Sequence, residues 1–179
     1  MRRHEFDWEN PKHVRALLDN YDRLDQYLRE KLDTVGNTLL FDLERYVSMC
    51  DFDPIRLFLI EMKKQHTPYT LILRLLERNF NLSYNTNHLS YILASEIPKA
   101  IALAAGRHRV DCETPMSDRK QCFRCHRMLP KHSYFYTRNV SRKDGWCSIC
   151  KECEKKDRVK RGEQTTYDKR IKAAALYEM

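Results

Sequence analysis

At 179 residues the chain has room for one compact domain or two small ones, and a hydrophobic share of 42% is enough for a core. A charged share of 32% gives every element a solvated face, and only 4 Gly and 6 Pro favour helices over many short strands. No apolar run approaches the roughly 18 residues of a membrane span, and residues 1–8 lack the apolar centre of a secretory signal. An intracellular protein without a membrane partner is therefore expected.

Residues 1–11 read as an N-terminal extension and 12–106 as a helical domain. Val14, Leu17, Leu18, Tyr21, Leu24, Leu28, Leu32, Val35, Leu39, Leu43, Tyr46, Val47 and Cys50 recur in steps of three and four, the stripe of an amphipathic helix. Asn10 is a natural cap with Pro11 in the first turn. Gly36-Asn37 interrupts the stripe, so one long helix and two helices joined there are both open. Val14, Tyr21, Leu28 and Val35 also keep a seven-residue step, which fits an oligomerising coiled coil or, the favoured reading, packing within the chain's own domain.

Asp53-Pro54 opens a second helical group. Thr67-Pro68 starts its next helix, 79–83 is a turn, and a third helix begins near Thr86. Ile97-Pro98 is expected to end that helix, leaving a short last helix over 99–105 closed by Gly106. Residues 67–95 suit a helix-turn-helix, in which Asn85, Asn87, His88, Ser90 and Tyr91 would face a DNA groove; Asn bonds adenine in pairs, and Ser and Tyr bond phosphates or base edges. The stretch 42–105 is faintly similar to the helix-turn-helix part of sigma factors and phage regulators, with Asn81 standing where that turn usually has Gly.

Residues 107–118, poor in apolar side chains, read as a linker. A cysteine module follows over 119–161, and 162–179 forms a tail in which Gly162 ends the preceding helix and 165–177 suits a short helix. The formal charge is +8, and it is concentrated: 107–172 holds 19 Lys and Arg against 9 Asp and Glu, an excess of +10 that leaves about −2 for the remainder. Such a stripe is the footprint of a polyanion binder.

Five of the 7 cysteines lie within 122–153. In a reducing compartment, clustered cysteines indicate a metal rather than disulfides. Cys50 and Cys112 stand apart and read as packing residues. Cys122 and Cys125 form a C-x2-C turn able to grip one ion, and a second pair completes a tetrahedral four-sulfur shell with no open position for chemistry. That second pair is Cys147 with Cys150 or Cys150 with Cys153. The helix-forming run after Cys150 favours the latter, because residues three apart share a helix face. His126 and His132 are poor candidates when four cysteines suffice. Leu129, Tyr134, Phe135 and Tyr136 are expected to pack around the ion, and one structural Zn2+ is expected to hold the module together.

Cys122, Cys125, Leu129-Pro130, Phe135, the Arg142-Lys143-Asp144-Gly145 turn and Cys150-Lys151-Glu152-Cys153 resemble a zinc module common in phage proteins and related to the treble-clef part of phage recombination endonucleases. The resemblance covers about a quarter of the chain. It implies ligands Cys122, Cys125, Cys150 and Cys153, with Cys147 the extra cysteine and the alternative ligand, and a basic helix carrying Lys155, Lys156, Arg158, Lys160 and Arg161 to phosphates. Nucleases of this kind use a His base and a paired Asp, His or Asn set around a catalytic metal. Between Cys125 and Cys147 only His126, His132, Asn139 and Asp144 are of those types, so a nuclease is the less favoured reading.

The expected fold is mainly α: a helical domain with a helix-turn-helix-like segment plus a small treble-clef or zinc-ribbon module. The expected function is non-enzymatic nucleic-acid binding, as a phage or prophage transcription regulator acting on DNA, with RNA as the other candidate. The alternatives are an adaptor docking through the helical stripe on RNA polymerase or a phage assembly component, and a divergent nuclease.

Overall fold

The computed structural model describes residues 6–31 and 34–161. The expected stop at Gly162, the helix over 165–177 and Leu32 of the apolar stripe lie outside the described residues. The protein is mainly α. It divides into two units, Met1–His108 and Arg109–Met179.

The first unit begins with α1 (Pro11–Asp19), where the Asn10 side chain accepts a hydrogen bond from the Lys12 N–H at 3.0 Å and Pro11 fills the first turn. Asn20 ends α1, its side-chain amide donating to Ala16 O at 2.8 Å. Helices α2 (Tyr21–Lys31) and α3 (Thr34–Met49) follow. The interruption considered at Gly36-Asn37 does not occur there: a break falls at Asn20, residues 32–33 lie outside the described residues, and Gly36 lies inside α3. Its missing side chain has a packing reason. A Cβ there would collide with the Leu28 Cδ2 methyl, so α3 packs closely on Leu28 of α2 at this glycine.

Helix α4 (Pro54–Lys64) starts on Asp53, whose carboxylate accepts the Arg56 N–H at 2.8 Å. It ends in a Schellman turn: Thr67 N–H reaches Met62 O, His66 N–H reaches Lys63 O, and His66 takes the left-handed conformation (φ 52°). Helix α5 (Tyr69–Phe80) has Pro68, not Thr67, at its cap position, and ends at left-handed Asn81 (φ 52°). The Asn85 side chain then caps α6 (Thr86–Tyr91) by accepting the His88 N–H at 2.7 Å.

The stop expected at Ile97-Pro98 does not occur. A π turn over Ile92–Glu96 joins α6 to α7 (Ile97–Glu113), making one helix of 28 residues. Proline in a regular helix loses one N–H and collides with the carbonyl a turn earlier; a widened turn there relieves the collision. Gly106 is buried within this helix rather than closing it. The helix also takes over 107–113 from the expected linker, supported by the Arg109–Glu113 ion pair one turn apart at 2.9 Å and by Thr114 Oγ1 donating to Val110 O at 2.6 Å. By length and composition Thr86–Glu113 is apolar enough to cross a membrane, but half of its apolar window is buried in the protein. Leu89, Leu93, Ile97 and Ile101 of this helix pack with Leu43, Leu59 and Ile72 to form the core. Val14 and Leu28 of the seven-residue stripe are buried in the same core, so the stripe serves its own unit.

The second unit carries a 3-10 turn (Met116–Asp118), β1 (Arg119–Gln121), β2 (Met128–Pro130), β3 (Tyr136–Arg138), β4 (Trp146–Cys150) and α8 (Lys151–Lys160). β1 pairs antiparallel with β2, Lys120 opposite Leu129, and β3 pairs antiparallel with β4. Arg119 ties the end of α7 to this hairpin, bonding Asp111 Oδ1 at 2.7 Å and Thr114 O at 3.2 Å.

Candidate metal centre

The β1–β2 hairpin turns through Cys122, Phe123, Arg124 and Cys125. His126 takes the left-handed conformation (φ 57°), which lets its N–H return to Cys122 O at 2.9 Å while Cys122 N–H bonds Arg127 O at 3.0 Å. The knuckle is tied to β4 by the Phe123 N–H donating to Ser148 O at 2.9 Å. β4 ends at Cys150, which occupies the cap position of α8, and Cys153 lies in the first turn of that helix. The second hairpin closes on the Asp144-Gly145 turn: Gly145 has φ 72°, and Asp144 accepts the Trp146 N–H at 3.2 Å.

These elements bring four Sγ atoms together. Those of Cys122, Cys125, Cys150 and Cys153 all lie within 4.8 Å of one another, with Cys122–Cys153 and Cys125–Cys150 each at 3.9 Å. A tetrahedral ion bound at about 2.3 Å to sulfur needs sulfurs about 3.8 Å apart, so the cluster is shaped for a metal ion. Cys147 lies outside it. Three residues before Cys150 on a strand, it points to the opposite face.

The thiols are electrostatically unlike. The Arg127 side chain and N–H hold Cys125 down at about 6. Burial pushes Cys122 up, but the N–H groups of Cys125, Cys150 and Arg124 outweigh it and lower its pKa. Burial raises Cys150 and pushes Cys153 up to about 12. Four thiolates at this spacing repel one another, and a divalent cation at their centre removes that conflict.

Around the sulfurs Leu129, Tyr136 and Trp146 are buried, with Phe135 and Ile149 packed against them. Tyr136 donates its hydroxyl to Lys120 O at 2.7 Å. Leu129, Phe135 and Tyr136 thus form the expected core, while Tyr134 faces the His132 ring at 4.8 Å. His126 and His132 take no part in the sulfur cluster. Of the two isolated cysteines, Cys50 packs against the helical core, whereas Cys112 is exposed on α7, contrary to its expected packing role.

The expected nucleic-acid residues differ in what they offer. On α6, Asn87 and Tyr91 are exposed, His88 and Ser90 are half-buried, and Asn85 already uses its side-chain oxygen as the helix cap. On α8, Lys155, Lys156, Arg158, Lys160 and Arg161 are all exposed. The acidic residues of α8 face cations: Asp157 pairs with Arg124, Glu152 with Arg127, and Glu154 with Arg158 at 2.6 Å. Sequence reasoning missed Phe123, whose side chain is 77% exposed on the knuckle, and the 139–143 loop, where Val140 is 98% exposed beside Arg142 and Lys143. The available signal was an apolar residue with no periodic partner.

Fold and site together define a mainly α protein carrying a module whose four clustered cysteines could hold a metal ion. No known protein family, curated protein or solved structure matches the chain.

Proposed function

We propose that this is a non-enzymatic DNA-binding protein, a phage or prophage transcription regulator, whose C-terminal module is stapled by one structural Zn2+ on Cys122, Cys125, Cys150 and Cys153. Soft thiolates suit zinc, and a shell closed by four of them holds structure rather than performing chemistry. The order of knuckle, hairpin and helix is that of a treble clef, which supports the resemblance to the phage zinc modules.

The observation that carries the reading is charge. Residues 119–161 hold 14 Lys and Arg against 4 Asp and Glu, and 1–108 hold 15 of each. Four thiolates around Zn2+ subtract only two charges from that surplus. The module therefore grips phosphates, and the helical unit adds readout through Asn87 and Tyr91 of its helix-turn-helix-like segment.

The test is a salt-resolved titration of the zinc-loaded chain on duplex DNA. The logarithm of affinity should fall with the logarithm of salt concentration at about 0.9 per phosphate contact. Lys155→Ala/Lys156→Ala/Lys160→Ala should make that slope shallower. Binding that ignores salt, or no binding to any duplex or single strand, overturns the reading. The adaptor reading draws on Phe41 and Met49 of α3, 71% and 47% exposed, since the stripe first expected to dock is largely buried. A protein partner lost on Phe41→Ala, beside weak DNA binding, would favour it.

A further inference from the structure

Phe123 is an anomaly in its module. Leu129, Tyr136 and Trp146 are buried around the sulfurs with Phe135 packed against them, yet Phe123 stands 77% exposed and outside that core. Its backbone is held on both sides. The ligands Cys122 and Cys125 flank the Phe123-Arg124 pair, and the Phe123 N–H is bonded to Ser148 O at 2.9 Å. A bound metal therefore turns this residue into a rigidly mounted aromatic ring facing solvent. A single exposed apolar side chain is ordinary on a protein surface. A rigid ring on the tip of a strongly basic module is a different object.

Two arginines stand beside it: Arg124, paired with Asp157, follows it directly, and Arg127, paired with Glu152, closes the same knuckle. Ser148, whose carbonyl accepts the Phe123 N–H, also lines a cleft of about 200 Å³ with Asn139, Arg142 and Glu154. The Asn139 side-chain oxygen is engaged by the Ser141 N–H at 3.1 Å, which leaves its amide N–H groups for an incoming acceptor. Stacking on an aromatic ring, with cations beside it for the backbone, is how proteins hold unpaired nucleotides. The bases of an intact duplex are stacked on each other and closed to such a ring, whereas those of a single strand, bulge or loop are open.

We propose that Phe123 is a stacking platform for an unpaired nucleobase, so that the module binds single-stranded nucleic acid in preference to duplex. This rests on the nucleic-acid reading above and narrows its substrate. The positive surplus of 119–161 favours a polyanion over an apolar pocket of a protein partner as the occupant.

The experiment measures fluorescence anisotropy of zinc-loaded full-length protein on a labelled thymidine oligonucleotide and on the same strand annealed to its complement, at one salt concentration. Wild type, Phe123→Ala, Phe123→Leu and Phe123→Trp are compared, each with its zinc content measured. Phe123→Ala and Phe123→Leu should each lose about tenfold in single-strand affinity and change duplex affinity by less than twofold. Phe123→Trp should keep single-strand affinity, and its emission should be quenched on binding. Equal losses on both probes, leucine binding as well as phenylalanine, or an unquenched tryptophan overturns the proposal. Should wild type bind both probes with the salt dependence described above and Phe123→Ala match it, the platform falls and the DNA reading stands. Absence of binding to either probe removes both.

Discussion

The two units solve the same problem with different means. In the first, nineteen buried side chains among the described residues make one apolar core, and hydrophobic burial can order the chain. In the second, six residues form the buried core and three of them are cysteines. A core that small cannot offset the entropy of ordering its loops, and an ion held by the four sulfurs, which could take one, would supply what apolar area cannot. Charge follows the same division. The helical unit is formally neutral; the cysteine module holds the positive excess.

The largest expected effect tests this division directly. The chain has two tryptophans, Trp8 packed on the helical core and Trp146 buried beside the sulfurs, so Trp8→Phe and Trp146→Phe variants each report one unit. Chelation should unfold the module and red-shift Trp146 while leaving Trp8 unchanged, since structural zinc contributes about 10–16 kcal/mol in isolated fingers. Cys153→Ser should do the same without a chelator, whereas Cys147→Ser should retain one metal per chain by elemental analysis. A chain that keeps its Trp146 signal after chelation would erase the distinction drawn here.

The converse comes next. Ile72→Ala removes a side chain that is 0% exposed, and should cost about 2–5 kcal/mol in urea melts followed at Trp8, with metal content unchanged. Smaller, and confined to one helix crossing, is Gly36→Ala. The helix propensity gained is about 1 kcal/mol, but overpacking against Leu28, which is 2% exposed, should outweigh it and leave a net loss of about 1–2 kcal/mol. Combining it with Leu28→Ala should remove part of that penalty, a coupling visible in a double-mutant cycle.

The smallest effect concerns the buried charge of the helical unit. Lys64 is 6% exposed and bonds Glu44 and Glu61, each at 2.7 Å. Burial alone would push its pKa down, but the two carboxylates outweigh burial and raise it. A raised lysine stabilises the fold at every pH below the ordinary lysine range, and that contribution disappears as pH climbs through it. Its partners are about half exposed, so Lys64→Met should change stability at neutral pH by less than about 1 kcal/mol and should flatten the alkaline limb of the pH–stability curve. A large loss at pH 7 would mean that the helical unit, too, leans on a polar centre.

Local signals carried far in this chain. Asn10-Pro11 and Asp53-Pro54 mark helix starts because a short polar side chain satisfies N–H groups only a few residues ahead. The C-x2-C knuckle and the Asp-Gly turn are likewise short-range chemistry. The misreadings lie where a distant partner decides. Pro98 reads as a stop until a widened turn and a buried face on both sides keep the helix running. Gly36 reads as a break until Leu28 is placed against it. The 107–113 segment reads as linker until Arg119 bonds Asp111 and Thr114 at its end.

By itself, then, the sequence determined the mainly helical character, the position of the cysteine module and the segment that carries positive charge, because each depends on composition or on contacts within one or two turns. Only the tertiary structure decided which four of the five clustered sulfurs converge, since Cys147 and Cys150 are separated by strand geometry rather than by spacing. It alone also decided that Phe123 has no core to enter, because exposure is a property of what the rest of the chain leaves uncovered.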